Sequence, residues 1–139
     1  MISSEPLESP ADQIRQWIDI DQVVHEVLAV VGDRPYRFEH NAAAHLLGLD
    51  LPVDFVHVSV VGDPDNLDEL ALRAVGGGHR REVSTLRGGM LRPQVKFHAA
   101  LAAITLEVIE SPRRHVVVAL GDHQVRVAPM EDLRLQPLL

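Results

Sequence analysis

Two side chains with the chemistry of an active site fall on two predicted strands of this 139-residue chain. His57 lies in residues 53–61, a run rich in β-branched residues, and Glu107 lies in residues 104–109. A carboxylate can bind magnesium, whereas an imidazole titrates near neutral pH and suits zinc. His57 and Glu107 are therefore the candidate catalytic residues if the protein is an enzyme.

Magnesium-dependent nucleotidyl transfer needs more carboxylates than this pair supplies. Ligands on one strand must lie two residues apart, because side chains alternate between the two faces of a sheet. Asp54 is the one carboxylate in residues 53–61, and it lies on the face opposite His57. No register of this strand therefore supplies a carboxylate pair. The alternative for Glu107 is a solvent-facing glutamate on an edge strand.

Zinc is the other metal that the histidines suggest. The possible ligands are His40, His45, His57 and Glu107. His45 is the fifth residue after His40, and this spacing does not place both on one face of a helix. We therefore predict no metal site.

The elements that position these residues follow from the apolar periodicity. Residues 23–31 carry their apolar side chains on one face of a helix. Residues 36–39 predict a short strand, and residues 40–47 predict an alanine-rich helix that Gly48 ends. Residues 53–61 then predict a buried strand.

The second half of the chain is predicted to consist mainly of strands. A helix is expected from about residue 66 to residue 75. Strands are predicted over residues 81–86, 94–98, 104–109, 115–120 and 124–128, with a turn at residues 87–90. We therefore expect an α/β fold with a mixed β-sheet and helices packed on it. A mobile N-terminal tail at residues 1–11 precedes a single domain over residues 12–139.

Residues 36–61 resemble small bacterial proteins with the nucleotidyltransferase-like fold of the polymerase-β type. In that family a strand leads into a Gly-Gly turn and a short helix. Two aspartates on the next strand hold the magnesium that carries the nucleotide. The Gly-Gly turn falls here on His40 and Asn41, and the two aspartates fall on Phe55 and His57. The resemblance therefore implies a degenerate member, a pseudoenzyme that keeps the scaffold and lacks the aspartate pair.

The resemblance extends to residues 128–133, which read APMEDL and are similar to the family's closing signature. Residues 134–137 cut short the helix that usually follows in the family. The resemblance makes His40 and Asn41 candidate ligand-binding residues. It implies no cofactor for a degenerate member, and magnesium if the protein is active.

The composition excludes several classes of protein. Without cysteine, the chain has no disulfide framework, no thiolate metal site and no cysteine nucleophile. No apolar run approaches the roughly 18–20 residues of a membrane span. The first ten residues lack the basic start of a secretory signal. We therefore expect a cytoplasmic protein with no membrane partner.

The net charge of −7 is unevenly distributed along the chain. Residues 1–70 hold three basic and fourteen acidic residues, whereas residues 71–139 hold ten basic and six acidic residues. The basic half makes Arg80 and Arg81 candidate ligand-binding residues for nucleic acid, a nucleotide or another phosphate-rich partner. The alternative is that its arginines pair with acidic residues of the other half.

Three functions are consistent with these patterns. The first is a catalytically degenerate nucleotidyltransferase-like domain that acts as a binding or regulatory module, for example of the toxin–antitoxin kind, with a protein partner or as a homodimer. The second is an active nucleotidyltransferase with an atypical metal-ligand set that includes His57 and Glu107. The third is a phosphate- or nucleic-acid-binding module that uses the basic C-terminal half.

A salt titration tests the third function. We expect replacement of Arg80 and Arg81 by Ala to weaken binding to a single-stranded oligonucleotide. The same change should reduce the dependence of affinity on salt, because fewer counterions are released. Arg15→Ala, in the acidic half, is the control and should change little. Absence of binding at low salt would contradict the expectation.

Overall fold

The computed structural model describes residues 19–51, 53, 55–75, 84–88, 91–99 and 102–134. The described helices are α1 (Ile20–Val31), α2 (His40–Leu46) and α3 (Asp68–Val75), with a short 3-10 helix at Met130–Asp132. The described strands are β1 (Tyr36–Glu39), β2 (Phe55–Val61), β3 (Ser84–Gly88), β4 (Leu91–Ala99), β5 (Ala102–Ile109), β6 (Val116–Leu120) and β7 (His123–Val127). The predicted α/β class is confirmed.

The described strands form one seven-stranded sheet in the order β3-β4-β5-β2-β1-β7-β6. The β2–β5 and β1–β7 pairs are parallel, and the remaining pairs are antiparallel, so the sheet is mixed as predicted. Strand β5 lies between β4 and β2. The alternative that Glu107 sits on an edge strand is therefore wrong, because hydrogen-bonded strands flank β5 on both sides.

Helix α1 follows its sequence signals closely. The side chain of Asp19 caps its first turn and accepts a hydrogen bond from the backbone N–H of Gln22 at 3.2 Å. Gly32 ends the helix with a φ of 64°, in the left-handed region that favours glycine. Val23, Val24, Val27 and Val31 are buried as the apolar pattern predicts, whereas the predicted Leu28 is half-buried and Val30 is buried in addition.

The core lies on one face of the sheet, beneath the three helices. Helix α2 contacts β1 and β2, α3 contacts β4, and α1 packs against α3. The largest fully buried side chains on this side come from alternate strand positions, as the two-residue period requires. They include Phe38, Val56, Val58, Val60, Val95, Phe97, Ile104 and Leu106.

The opposite sheet face is polar, although much of it is buried. We call it the polar face, and it carries Arg37, Glu39, His57, Ser59 and Glu107. Four of these residues, Arg37, Glu39, Ser59 and Glu107, are at most 6% exposed. Buried charge is costly unless it is paired, so their partners decide what this face can do.

The connection from β5 to β6, residues 110–115, runs over the polar face and is called the crossing segment below. It passes four strand positions, a distance of about 19 Å. The chain from Ile109 to Val116 reaches at most about 25 Å, so the segment has little slack. Arg113 in this segment donates to the hydroxyl of Ser59 at 3.1 Å, which places the segment directly above β2.

Some predicted boundaries differ from the observed ones. Helix α3 begins at Asp68 rather than near residue 66, because Asn66 accepts from the backbone N–H of Asp68 at 3.2 Å and forms a turn before it. Strand β3 continues to Gly88, which the sequence assigned to a turn. The predicted tail at residues 1–11 lies outside the described residues. None of the described helices has the length and apolarity needed to cross a membrane.

Candidate functional site

The polar face is organised around an ion pair on β1. Arg37 and Glu39 lie two residues apart, so both side chains point to the same side of the strand. Arg37 donates through Nε at 3.0 Å and through Nη2 at 2.7 Å to the two carboxylate oxygens of Glu39. The two side chains are 7% and 5% exposed. This two-pronged geometry is the strong form of an arginine–carboxylate pair.

Two further donors converge on Glu39. The Ser59 hydroxyl donates to Oε2 of Glu39 at 2.6 Å, and Nη1 of Arg113 donates to the same oxygen at 3.1 Å. Burial raises the pKa of Glu39, but hydrogen bonds from Arg37 and Ser59 and the nearby charges lower it further, so the net pKa shift is downward. Glu39 is therefore a carboxylate held ionised by its surroundings.

Asp132 ties the C-terminal end of the described chain to this network. It accepts from Nη1 of Arg37 at 3.0 Å, and Arg114 donates to both of its oxygens at 3.1 and 2.7 Å. Arg37 also donates to the backbone carbonyl of Arg114 at 2.9 Å. Arg114 is the main cause that lowers the pKa of Asp132 to about 2. One buried arginine thus connects β1, the crossing segment and the 3-10 helix.

A second charged cluster lies on β2, β4 and β5. His57 Nε2 and Glu107 Oε2 are 3.2 Å apart, and Arg92 donates to the other oxygen of Glu107 at 2.7 Å. The hydrogen bond with His57 is the largest cause that lowers the pKa of Glu107 to about 2. The structure therefore brings together the two candidate catalytic residues.

His40 adjoins this cluster in an unusual backbone conformation. Its φ is 54°, in the left-handed region where non-glycine residues are uncommon. Nδ1 of His40 donates to the carbonyl of Arg134 at 2.6 Å, and its ring meets that of His57 edge to face at 4.8 Å between centroids. Burial and the neighbouring His57 lower the pKa of His40. These contacts hold a strained residue at the junction of β1 and α2.

The carboxylates of the polar face are all engaged by arginines. Glu39 binds Arg37 and Arg113, and Glu107 binds Arg92. Among the described residues, no group of three or more His, Asp or Glu side chains is arranged to hold a metal ion. The zinc alternative therefore has no ligand geometry among the described residues. Its member His45 instead places Nδ1 at 3.2 Å from the carbonyl of Leu51.

The remaining predicted site residues have mixed outcomes. Asn41 is buried in the first turn of α2, next to His40. Arg80 and Arg81 lie outside the described residues. The idea that arginines of the C-terminal half pair with acids of the N-terminal half is confirmed for Arg113 and Glu39.

Sequence reasoning missed the network around Arg37, Glu39 and Asp132. A signal for part of it exists, since Arg37 and Glu39 alternate with an apolar Phe38 on a predicted strand. The antiparallel pairing then sets Arg37 opposite Ser59 and Glu39 opposite His57. No local pattern indicates Asp132, because it reaches β1 only through tertiary packing.

Comparisons with protein-family models, with curated proteins and with solved structures each give no match.

The depressed pKa of Glu107 predicts a pH-dependent contribution to stability. Its folded-state pKa of about 2 lies below the ordinary value of 4.5, so the contribution is present above pH 4.5 and is lost as the pH falls toward 2. Glu107→Gln should lower the free energy of unfolding at pH 7 by on the order of 2–3 kcal/mol. Urea unfolding at several pH values measures this difference.

Glu110→Gln is the matched control, because Glu110 is an exposed glutamate just beyond the same strand. It should leave the unfolding free energy within about 0.5 kcal/mol of the original protein at each pH. A Glu107→Gln deficit that stays constant between pH 7 and pH 3 would contradict the assigned ion pair.

Proposed function

We propose that this protein is a binding module with a nucleotidyltransferase-like fold rather than a magnesium-dependent transferase. One observation carries the proposal: the carboxylates of the polar face, Glu39 and Glu107, are each bound by arginine. Because these buried carboxylates are already paired, they are not available as magnesium ligands, which favours a binding role over metal-dependent transfer.

Magnesium would have to compete with the guanidinium groups for these oxygens. It requires an octahedral shell of oxygen ligands at about 2.0–2.1 Å. A metal at Glu39 would displace Arg37, and that arginine would then be a buried unpaired charge, which is strongly destabilising. Phe55 and His57 occupy the strand positions at which the resemblance expects the aspartate pair, so β2 offers no carboxylate in compensation.

Two backbone features support the resemblance to the nucleotidyltransferase-like family. The positive φ of His40 occurs where that family has its Gly-Gly turn, and glycine is the residue that adopts a positive φ most readily. Helix α2 then ends before Gly48, whose φ is 102°. The order of β1, α2 and β2 is the one that the resemblance implies. His40 therefore has the backbone geometry of a glycine turn, although it is not a glycine.

The proposed partner is a protein, and a second copy of this chain fits the β6 edge of the sheet. Strand β6 reads VVVAL, without the charged or proline residues that usually protect an edge strand. Val116 and Val117 are 40% and 56% exposed. Antiparallel pairing of two β6 strands about a twofold axis would cover both valines and the unpaired backbone groups. On the basis of the resemblance alone, we propose that the module has a regulatory, toxin–antitoxin-like role.

A second candidate function is an enzyme that uses His57 as a general base. The specific observation in its favour is the 3.2 Å contact between His57 Nε2 and Glu107 Oε2, since a carboxylate can orient an imidazole for proton transfer. The strained His40 beside it is the kind of backbone outlier that often accompanies functional sites. Active transfer with these residues in an atypical ligand set remains the competing proposal.

A nucleotidyl-transfer assay separates the two functions. We expect no labelled product from any common nucleoside triphosphate in the presence of magnesium, because the carboxylates are occupied by arginine. Product formation that His57→Ala abolishes and that His25→Ala retains would contradict the binding proposal. His25 is a suitable control because it is exposed on α1, away from the polar face.

Light scattering tests the β6 edge. We expect the protein to be a dimer at micromolar concentration and Val117→Lys to shift it to a monomer, because a charge on the edge opposes strand pairing. Leu72→Lys is the matched control: Leu72 is an apolar residue on α3 and is 71% exposed, and its replacement should leave the dimer intact. A monomeric original protein, or equal effects of both variants, would contradict pairing through β6.

A further inference from the structure

A small cavity of about 60 Å³ lies where the crossing segment passes over the ends of β1, β2 and β5. We call it the basic pocket. Its polar lining comes from Arg37, Ser59, Arg113, His115 and Arg126, and its apolar walls come from Pro35, Tyr36, Val61, Ile109 and Pro112. Among the described residues, no acidic side chain lines it.

The arginines of the basic pocket outnumber the carboxylates that neutralise them. Arg37 and Arg113 share Glu39, and Arg37 also contacts Asp132, which is paired with Arg114 as well; neither carboxylate lines the cavity. Arg126 has no carboxylate partner in the part of the chain that the structure describes, and neither does His115. The pocket therefore carries a local excess of positive charge inside a protein whose overall charge is negative. Such a concave positive site concentrates anions.

The position of Arg126 is fixed in advance of any ligand. Its guanidinium carbon lies 5.4 Å from the centre of the Tyr36 ring, a cation–π contact. Its backbone N–H donates to the Tyr36 hydroxyl at 3.2 Å, and that hydroxyl approaches the carbonyl of Gln124 at 3.4 Å. Stacking on an aromatic ring leaves the N–H groups of a guanidinium available for in-plane hydrogen bonds. A preorganised arginine loses little conformational freedom on binding.

The size and donors of the basic pocket select the ligand class. A cavity of 60 Å³ has room for about four water-sized groups, which matches the four oxygens of a tetrahedral oxyanion. It is too small for a nucleobase or a sugar ring. Arginine forks and an imidazole N–H are donors suited to phosphate oxygens, and Ser59 already bridges Arg113 to Glu39 on the cavity floor.

We propose that the basic pocket binds one phosphate group, either as free phosphate or as the terminal group of a small phosphate monoester. Arg126 and His115 make the new contacts, and Arg113 supplies further charge from the crossing segment. This site goes beyond the proposed protein partner and adds a small anionic ligand to the proposed binding function. It differs from the His57–Glu107 cluster, which does not line the pocket.

Titration of inorganic phosphate into ¹⁵N-labelled protein at constant ionic strength tests the site. Saturable changes in amide signals are expected at the lining residues, among them Ser59, Arg113 and Arg126. Arg126→Met should weaken binding about tenfold or more, because it removes a charge-assisted hydrogen bond and retains most of the side-chain volume. His115→Gln is a second variant in an exposed position, and it should weaken binding severalfold without loss of folding.

Arg134→Met is the matched control, because it removes one exposed arginine that does not line the basic pocket. Its dissociation constant for phosphate should stay within about twofold of the original value, since screening makes a distant surface charge a minor contributor. Signal changes that do not saturate, or that respond equally to Arg126→Met and Arg134→Met, would overturn the site. Phosphate binding that His115→Gln and Arg126→Met both leave intact would also overturn it.

A parallel titration with glycerol phosphate distinguishes the two sources of the phosphate group. Tighter binding of the ester than of inorganic phosphate assigns the site to monoesters, and weaker binding assigns it to the free ion. The outcome is independent of the transfer assay. Absence of phosphate binding would contradict the phosphate site and would not affect the proposed binding function. Nucleotidyl transfer that His57→Ala abolishes would contradict the proposed binding function and would not affect the phosphate site.

Discussion

The buried ion pair of Arg37 and Glu39 is the contact on which the polar face depends. Both side chains are nearly inaccessible to water, and each compensates the charge of the other. Removal of one partner from such a pair typically costs about 3–5 kcal/mol, because the remaining charge is left uncompensated. Ser59, Arg113 and Asp132 are arranged around this pair, so the crossing segment and the 3-10 helix take their positions from β1.

The charges of the polar face form two units that meet on β2, which contributes Ser59 to one and His57 to the other. One is centred on Glu39 and the other on Glu107, and each carboxylate is surrounded by donors. Saturated networks of this kind specify a unique arrangement more than they add stability. They also restrict chemistry, since a carboxylate that is already bound on both oxygens is a poor metal ligand. The arginines around the basic pocket exceed the carboxylates near them, and the proposed anion site rests on this excess.

Local patterns in the sequence anticipated most of the secondary structure and the alternation of the strands. The apolar face of α1 and the end of α2 before Gly48 both follow from short-range rules, and both are observed. The placement of Glu107 did not follow, because a strand's position in a sheet depends on pairings across distant parts of the chain. The surroundings of Arg126 could not be predicted from the sequence either, because they come from β1 and the crossing segment.

The hairpin of β6 and β7 is attached to the sheet by very little backbone. In the register that the structure describes, β1 and β7 share one pair, Phe38 with Val127, followed by a hydrogen bond from the N–H of Ala128 to the carbonyl of Phe38 at 2.9 Å. Side chains make the remaining link: Val125 and Val127 are fully buried in the core, and the Tyr36 hydroxyl bonds to the backbone of Gln124 and Arg126. The attachment of the hairpin to β1 therefore depends more on side-chain packing than on strand hydrogen bonds. Arg126 of this hairpin lines the basic pocket together with Arg37 of β1 and Arg113 of the crossing segment, so the proposed phosphate would join the hairpin to the rest of the sheet.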